Sequence, residues 1–142
     1  MSRVYFSLKQ ANELIKKIRL EVERVQQLNE ELTLIDNTKI EFDDDSMENF
    51  LLEIELNKNF HEKNIELYSL LGYLIKQGCI MRELEKMEID FYSKFEGKEI
   101  LFCWTPNEES IKYWHSYGET MDKRKPIAQI EDSYFEQLKK MK

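Results

Sequence analysis

KQGCIMRELEKMEIDFYSKFEGKEILFCW, residues 76–104, contains the point at which the hydrophobic pattern of the chain changes from helical to alternating. Before Gly78, apolar residues recur at helical spacing. After it, the stretches CIMREL, EIDFYSKF and EILFCWT have the pattern of strands, and Glu96 and Gly97 supply a turn between the last two. The segment therefore predicts a three-stranded antiparallel sheet over residues 79–104.

The last of these strands has two apolar faces. Ile100, Phe102 and Trp104 point to one side of the sheet, and Leu101 and Cys103 point to the other. A strand that is apolar on both faces is central, or its second face is covered by another segment or subunit.

Two long helices precede the sheet. The first, over residues 7–35, starts with a capping box of Ser7 and Gln10 and carries apolar residues in a seven-residue repeat. The second, over residues 46–77, ends at Lys76 and Gly78, which are typical of a helix C-terminus. It carries two apolar stripes, one of Met47, Leu51, Ile54, Ile65, Tyr68 and Ile75, and one of Phe50, Phe60, Leu67, Leu71 and Leu74. About ten residues join the two helices, which predicts an antiparallel helical hairpin.

The remaining segments complete a single α+β domain spanning residues 1–142. Residues 105–127 are predicted to form a crossing segment and a loop that bring Trp114 back over the sheet. A short C-terminal helical extension is predicted over residues 128–142, where Ser133 and Glu136 form a second capping box.

Composition limits the classes of partner. A net charge of −7 without a compact basic face disfavours nucleic acid, so we expect no nucleic-acid partner. We expect no membrane association and a cytoplasmic location, because no apolar run is long enough for a membrane span and the N-terminus lacks a signal pattern.

Cys79 and Cys103 are isolated in the sequence and are interpreted as buried reduced thiols.

Several segments together resemble an uncharacterised prokaryotic family, the domain of unknown function 2203. They are YFSLKQANELIKKI at the start, GCIMRELEKMEIDF in the middle, LFCW followed by Glu108, Ile111, Trp114 and His115, and the later R-x-P-I. The resemblance covers residues 4–127. It implies a fold and the location of a site, and it implies no activity. The sequence departs from the family pattern where glycines are replaced, at Met87, Asn107, Thr120 and Lys123.

The polar residues that the resemblance retains form a candidate site at the end of the sheet. They are Asp90, Glu108, His115 and Arg124, bordered by Cys103, Trp104 and Trp114. One interpretation is a site where Arg124 binds an anion or His115 activates a water molecule. The favoured interpretation is structural: Asp90 pairs with Arg124, Glu108 caps the segment that holds Trp114, and the two indoles pack together.

A metal site built from Cys103, His115 and either Asp90 or Glu108 is chemically reasonable, since all three side-chain types bind zinc. However, alternation places Cys103 on the face opposite Trp104, and one cysteine with one histidine is a sparse ligand set. The sequence therefore predicts no metal and no cofactor.

The predicted function is a non-enzymatic, cytoplasmic role through association. The heptad spacing of the hairpin, and the second apolar stripe of its second helix, favour a homodimer or a helical protein partner. The alternative is a small enzyme, or an anion- or metal-binding protein, that uses Glu108, His115 and Arg124 beside the two tryptophans.

Overall fold

The computed structural model describes residues 3–37, 47–119 and 123–128. Its elements are helices α1 (Leu8–Asn37) and α2 (Met47–Lys76), followed by strands β1 (Ile80–Glu83), β2 (Glu88–Phe95), β3 (Lys98–Trp104), β4 (Tyr113–Ser116) and β5 (Lys125–Pro126). The strands form one sheet in the order β1-β2-β3-β4-β5, with every neighbouring pair antiparallel. The α+β class predicted from the sequence is confirmed.

Both ends of the hairpin are capped as the sequence predicts. At the start of α1, the Ser7 amide donates to Gln10 Oε1 across 3.0 Å, and the Gln10 amide donates to Ser7 Oγ across 3.1 Å. At the end of α2, Gly78 has a φ of 102°, its amide donates to the Ile75 carbonyl, and the Cys79 amide donates to the Leu74 carbonyl. This pair of bonds is a Schellman motif, and it directs the chain from α2 into β1.

The main core lies between the hairpin and one face of the sheet. The sheet contributes residues such as Phe91, Phe102 and Trp104. From α1 the core contains Leu28 and every residue of the predicted apolar repeat: Ala11, Ile15, Ile18, Val22, Val25 and Leu32. Ion pairs tie α2 to α1, with Arg24 Nε 2.7 Å from Glu66 Oε1 and Lys63 Nζ 2.5 Å from Glu31 Oε2. The two helices are therefore antiparallel neighbours.

The two stripes of α2 differ in burial. Leu67 and Leu74 of the second stripe are buried and Phe60 and Leu71 pack on the same core cluster, whereas Phe50 near the start of α2 is exposed. All six residues of the first stripe are exposed: Met47, Leu51, Ile54, Ile65, Tyr68 and Ile75. A helix in a two-helix hairpin has one neighbour, which covers a single stripe.

The sheet has five strands instead of the three that the alternating pattern predicts. Residues 113–116, expected within a crossing segment, form β4 and pair with β3, while Lys125 and Pro126 form β5. The sequence pattern misses β4 because residues 107–112 are mostly polar and the strand has only four residues, too few to show a period. Pairing on both sides confirms that β3 is central. The predicted C-terminal helix falls on residues 128–142, of which 129–142 lie outside the described residues.

Candidate functional site

The two faces of the sheet carry different chemistry. The inner face, toward the helices, presents apolar side chains including Ile89 and Phe91. On the outer face, Asp90 of β2 is the register partner of Cys103 of β3, and Leu101 of β3 is that of His115 of β4. Because Leu101 and Cys103 are two residues apart, these four side chains share one face.

Three of these residues converge in a buried group, which we call the outer-face cluster: Asp90, Cys103 and His115. Each is at most 1% exposed, and one potential ligand atom from each lies within 4.8 Å of the others. Arg82 Nε lies 2.5 Å from Asp90 Oδ2, and His115 Nε2 lies 3.4 Å from the same oxygen. Asp90 Oδ1 is buried and has no hydrogen-bond partner among the described residues. Oδ2 of Asp90 is therefore paired with both Arg82 and His115, whereas Oδ1 is unpaired.

The hydrogen bond made by His115 Nδ1 fixes the orientation of the ring. Nδ1 lies 3.0 Å from the Ser116 carbonyl oxygen, which can only accept, so Nδ1 carries a hydrogen and donates it. Nε2 then faces Asp90 with either a second hydrogen or a lone pair. Hydrogen bonding to Asp90 raises the pKa of His115, against the opposing effect of desolvation. This favours an imidazolium beside the carboxylate.

Cys103 is the third member of the cluster. Burial raises the pKa of its thiol far above the ordinary value, and the negative charge of Asp90 adds to that increase. Because the thiolate is the nucleophilic form, this environment is the opposite of one that activates a catalytic cysteine. Cys79 is also free and buried, and burial raises its pKa to about 12.

The cation that pairs with Asp90 is Arg82, whereas the structural interpretation of the sequence assigns this role to Arg124. Arg124 is exposed, and its guanidinium lies 4.4 Å from the centre of the Tyr113 ring. Arg82 lies in the first predicted strand, two residues after Ile80, the register partner of Asp90. Because side chains two residues apart in a strand point to the same face, the sequence did contain a signal that Arg82 could lie on the face of Asp90.

A family model described as "Uncharacterized conserved protein (DUF2203)" matches residues 4–127. The chain belongs to this family. Neither a curated protein nor a solved structure matches the chain. Among the described residues, no helix is both long and apolar enough to cross a membrane. All three residues of the outer-face cluster lie within the DUF2203 match.

Glu108 lies away from the outer-face cluster, in the turn after β3. Its Oε1 accepts from the Thr105 amide and hydroxyl at 3.3 and 3.2 Å, and its carbonyl oxygen accepts from Trp104 Nε1 at 2.8 Å. Arg19 of α1 donates to the carbonyls of Pro106, Glu108 and Glu109. Glu108 thus shapes a turn that α1 holds in place.

A second α1 residue fastens the same segment. Asn12 Oδ1 accepts from the Ile111 amide at 2.9 Å, just before β4 begins. Arg19 and Asn12 are not among the site residues predicted from the sequence. The sequence did contain a signal for Asn12. It lies in the opening segment that carries the family resemblance, and as a polar residue it is not part of the apolar repeat of α1.

Each tryptophan has its own surroundings on the inner face. Trp104 is fully buried, with the Arg19 guanidinium 5.3 Å from its ring centre. Trp114 packs on Phe95, with ring centres 5.9 Å apart, and Lys125 Nζ lies 5.0 Å from its ring. Both indoles lie on the face opposite the outer-face cluster, so they do not border it.

Met87 is a position at which the resemblance implies a glycine. Its φ is 51°, a conformation that costs a non-glycine residue about 1 kcal/mol or more, and its side chain is fully buried in the core. Burying a methionine side chain contributes about 1.5–3 kcal/mol, which offsets that cost. A core side chain thus occupies a backbone conformation that favours glycine.

Proposed function

We propose that this protein acts through self-association as a cytoplasmic, non-enzymatic homodimer, in which two copies of α2 pack against each other. The observation that carries the proposal is the exposed apolar stripe of α2. We define the α2 stripe as the positions 51, 54, 58, 61, 65, 68, 72 and 75, whose separations alternate between three and four residues.

The α2 stripe exposes more apolar surface than an isolated surface helix requires. Leu51 is 54% exposed, Ile65 67% and Tyr68 69%, and Ile54 and Ile75 are also about half exposed. Scattered apolar side chains are normal on a surface, but here five of eight positions at heptad spacing are apolar or aromatic, interrupted by Lys58, His61 and Gly72. Heptad spacing of apolar residues is the pattern of a helix that packs on another helix. Pairing two hairpins along this line would form a four-helix bundle, which covers both stripes of α2.

The order of residues along the α2 stripe favours a second copy of the same helix over an unrelated one. In an antiparallel pair with the twofold axis at Lys63, Leu51 lies opposite Ile75 of the other copy. Ile54 then faces Gly72, which leaves room for the isoleucine, and the other two layers pair Lys58 with Tyr68 and His61 with Ile65. Each stripe position thus meets another stripe position, as an isologous interface requires.

The central layers contain the polar members of the α2 stripe. A lysine over a tyrosine ring is a favourable cation–π pair, and polar residues within an apolar seam specify register at some cost in stability. The proposed pairing of Lys58 with Tyr68 across the interface therefore serves alignment, while the apolar layers on either side supply most of the association energy.

Two further observations support a non-enzymatic protein in a reducing compartment. Both cysteines are free and buried, as is usual where thiols stay reduced. Of the predicted acid and cation, Glu108 bonds within the turn after β3 and Arg124 lies exposed over Tyr113, and among the described residues neither is hydrogen-bonded to His115. A helical partner of a different sequence is the competing occupant of the α2 stripe.

Analytical ultracentrifugation of the full chain tests the proposal, with Ile65→Lys as the disrupting variant. Ile65 is about two thirds exposed, so covering it contributes about 1–2 kcal/mol per copy and about 2–4 kcal/mol per dimer. We expect a concentration-dependent dimer for the natural sequence and a Kd raised by about 30-fold to 1,000-fold in the variant. Leu20→Lys is the matched control, because Leu20 is 78% exposed on α1 and lies outside the α2 stripe.

Register is tested separately by exchanging the proposed central pair. Lys58→Glu and Tyr68→Lys should each weaken the dimer, and the double variant should recover much of the loss because an ion pair replaces the cation–π pair. A monomer at every workable concentration, or equal effects of Ile65→Lys and Leu20→Lys, would refute self-association through this stripe.

A further inference from the structure

We propose that Asp90, Cys103 and His115 form a site for a thiolate-binding divalent metal ion, with zinc as the ion that fits best. The inference is independent of the proposed dimer, because the outer-face cluster lies on the sheet and the α2 stripe lies on the hairpin. It rests on the convergence of three ligand types, on an unused carboxylate oxygen, and on the hydrogen bond that orients the histidine.

The ligand set selects the class of metal. Cysteine sulfur and imidazole nitrogen together favour zinc and similar transition metals, whereas calcium and magnesium require oxygen ligands. Zinc is bound at about 2.3 Å by sulfur and about 2.0–2.1 Å by nitrogen and oxygen. Three described side chains provide three ligands, which leaves one position of a tetrahedron for a water molecule or another small ligand.

The spacing of the cluster is close to that of an occupied site. Its ligand atoms lie within 4.8 Å of one another. The centre of an equilateral triangle with that edge is about 2.8 Å from each corner, so zinc distances require a contraction of about 0.5 Å at the sulfur and about 0.7–0.8 Å at the nitrogen and the oxygen. Adjacent strands supply the ligands: Asp90 and Cys103 are register partners, and β4 brings His115 alongside. The backbone ladder therefore holds the three groups together before any metal binds.

The hydrogen bonds around the cluster suit metal ligation. His115 donates from Nδ1 to the Ser116 carbonyl, which leaves Nε2 directed at the cluster, the arrangement that orients metal-binding histidines in known sites. Asp90 Oδ1 is buried without a hydrogen-bond partner among the described residues, whereas Arg82 occupies Oδ2. A buried carboxylate oxygen left unpaired is unfavourable, and a metal ion would satisfy it.

The ligand types also carry charge that balances the ion. Cysteine binds zinc as the thiolate and histidine as the neutral imidazole, so metal binding releases protons and zinc affinity depends on pH. The thiolate and the Asp90 carboxylate would lie beside the ion, and paired charges make burial less costly than an isolated charge.

The test measures binding of Zn²⁺ and Co²⁺ to the full chain after removal of metal with a chelator. We expect one ion per chain, and a sulfur-to-cobalt charge-transfer absorption that reports Cys103 as a ligand. Cys103→Ala should remove that absorption and lower zinc affinity by about a hundredfold or more. Cys79→Ala is the matched control, because Cys79 is the other buried free thiol and lies outside the cluster.

Arg82→Met provides a second variant whose effect a purely structural cluster would not reproduce. The substitution removes the cation that shares Asp90, so it should lower the stability of the metal-free protein and raise zinc affinity by about tenfold or more. Circular dichroism is recorded for each variant before titration, to check that it is folded. Absence of a thiolate absorption with Co²⁺, or equal zinc affinity in the Cys103→Ala and Cys79→Ala variants, would overturn the proposal.

Discussion

Substitution of Gly78 by alanine tests how tightly Val4 and Phe6, which precede α1, pack against the junction between α2 and β1. An ideal Cβ at this position would lie 2.7 and 2.8 Å from two carbons of the Phe6 ring and 3.4 Å from Val4 Cβ. The backbone of Phe6 is held in place, because its amide donates to the Tyr92 carbonyl and its carbonyl accepts from Ser93 Oγ. The Phe6 ring also packs edge-on with Phe91, with ring centres 5.7 Å apart, which limits the space into which it can withdraw.

The expected cost has two parts. A φ of 102° is unfavourable for alanine by about 1–2 kcal/mol, and forcing the Phe6 ring from its site adds about 1–3 kcal/mol. The free energy of unfolding should therefore fall by about 2–5 kcal/mol, which corresponds to a decrease in Tm of about 5–15 °C for a chain of this size. Urea denaturation followed by circular dichroism measures the first quantity, and calorimetry measures the second.

Gly97→Ala is the matched control for this experiment. Gly97 also has a positive φ, 78°, within the tight turn between β2 and β3, but no atom lies within 4 Å of its ideal Cβ. It should lose the backbone part alone, about 1–2 kcal/mol. A double variant of Gly78→Ala with Phe6→Leu should show coupling between the two sites. Equal losses for the two glycine variants, or no coupling to Phe6, would refute the contact argument.

Three further predictions concern the cap, the turn after β3 and the outer-face cluster. Ser7→Ala should lower the free energy of unfolding by about 1 kcal/mol, measured by urea denaturation, since it removes the side-chain acceptor of the first turn of α1. Asn12→Ala should cost about 1–3 kcal/mol by the same assay, because the Ile111 amide loses its acceptor, whereas an unchanged midpoint would mean that water replaces it. With chelator present, His115 has a pKa raised by Asp90, so its stabilising contribution is complete below about pH 6.5 and is lost as the pH rises through the higher folded value. Unfolding measured from pH 6 to pH 9 should show this decline in the natural sequence and a smaller one in His115→Gln; equal slopes would contradict it.

Much of the architecture could be predicted from the sequence because it depends on local signals. The Ser7 capping box, the apolar repeat of α1 and the Schellman end at Gly78 each arise from residues within about one helical turn of each other. The turn at Glu96 and Gly97, and the two faces of β3, follow from similarly short patterns. Physical chemistry that acts over a few residues can be read from the residues themselves.

Long-range pairing explains what the pattern missed. The sequence could not show which cation reaches Asp90, because Arg82 and Arg124 are both compatible with its charge and only strand register brings Arg82 within contact. Alternation correctly places Cys103 on the face opposite Trp104. It could not show that His115 lies on the face of Cys103, because His115 belongs to β4, a strand too short to predict.

The sequence by itself determined the helical hairpin, the start of the sheet and the set of residue types available for a site. The tertiary structure decided which residues meet: it paired Asp90 with Arg82, placed Glu108 in the turn after β3, brought Asp90, Cys103 and His115 together, and left the α2 stripe exposed. The physical reason is that helix and turn formation depend on neighbours in the chain. A buried polar cluster or an uncovered apolar stripe depends on how separate strands and helices align, and that alignment has no short-range signal.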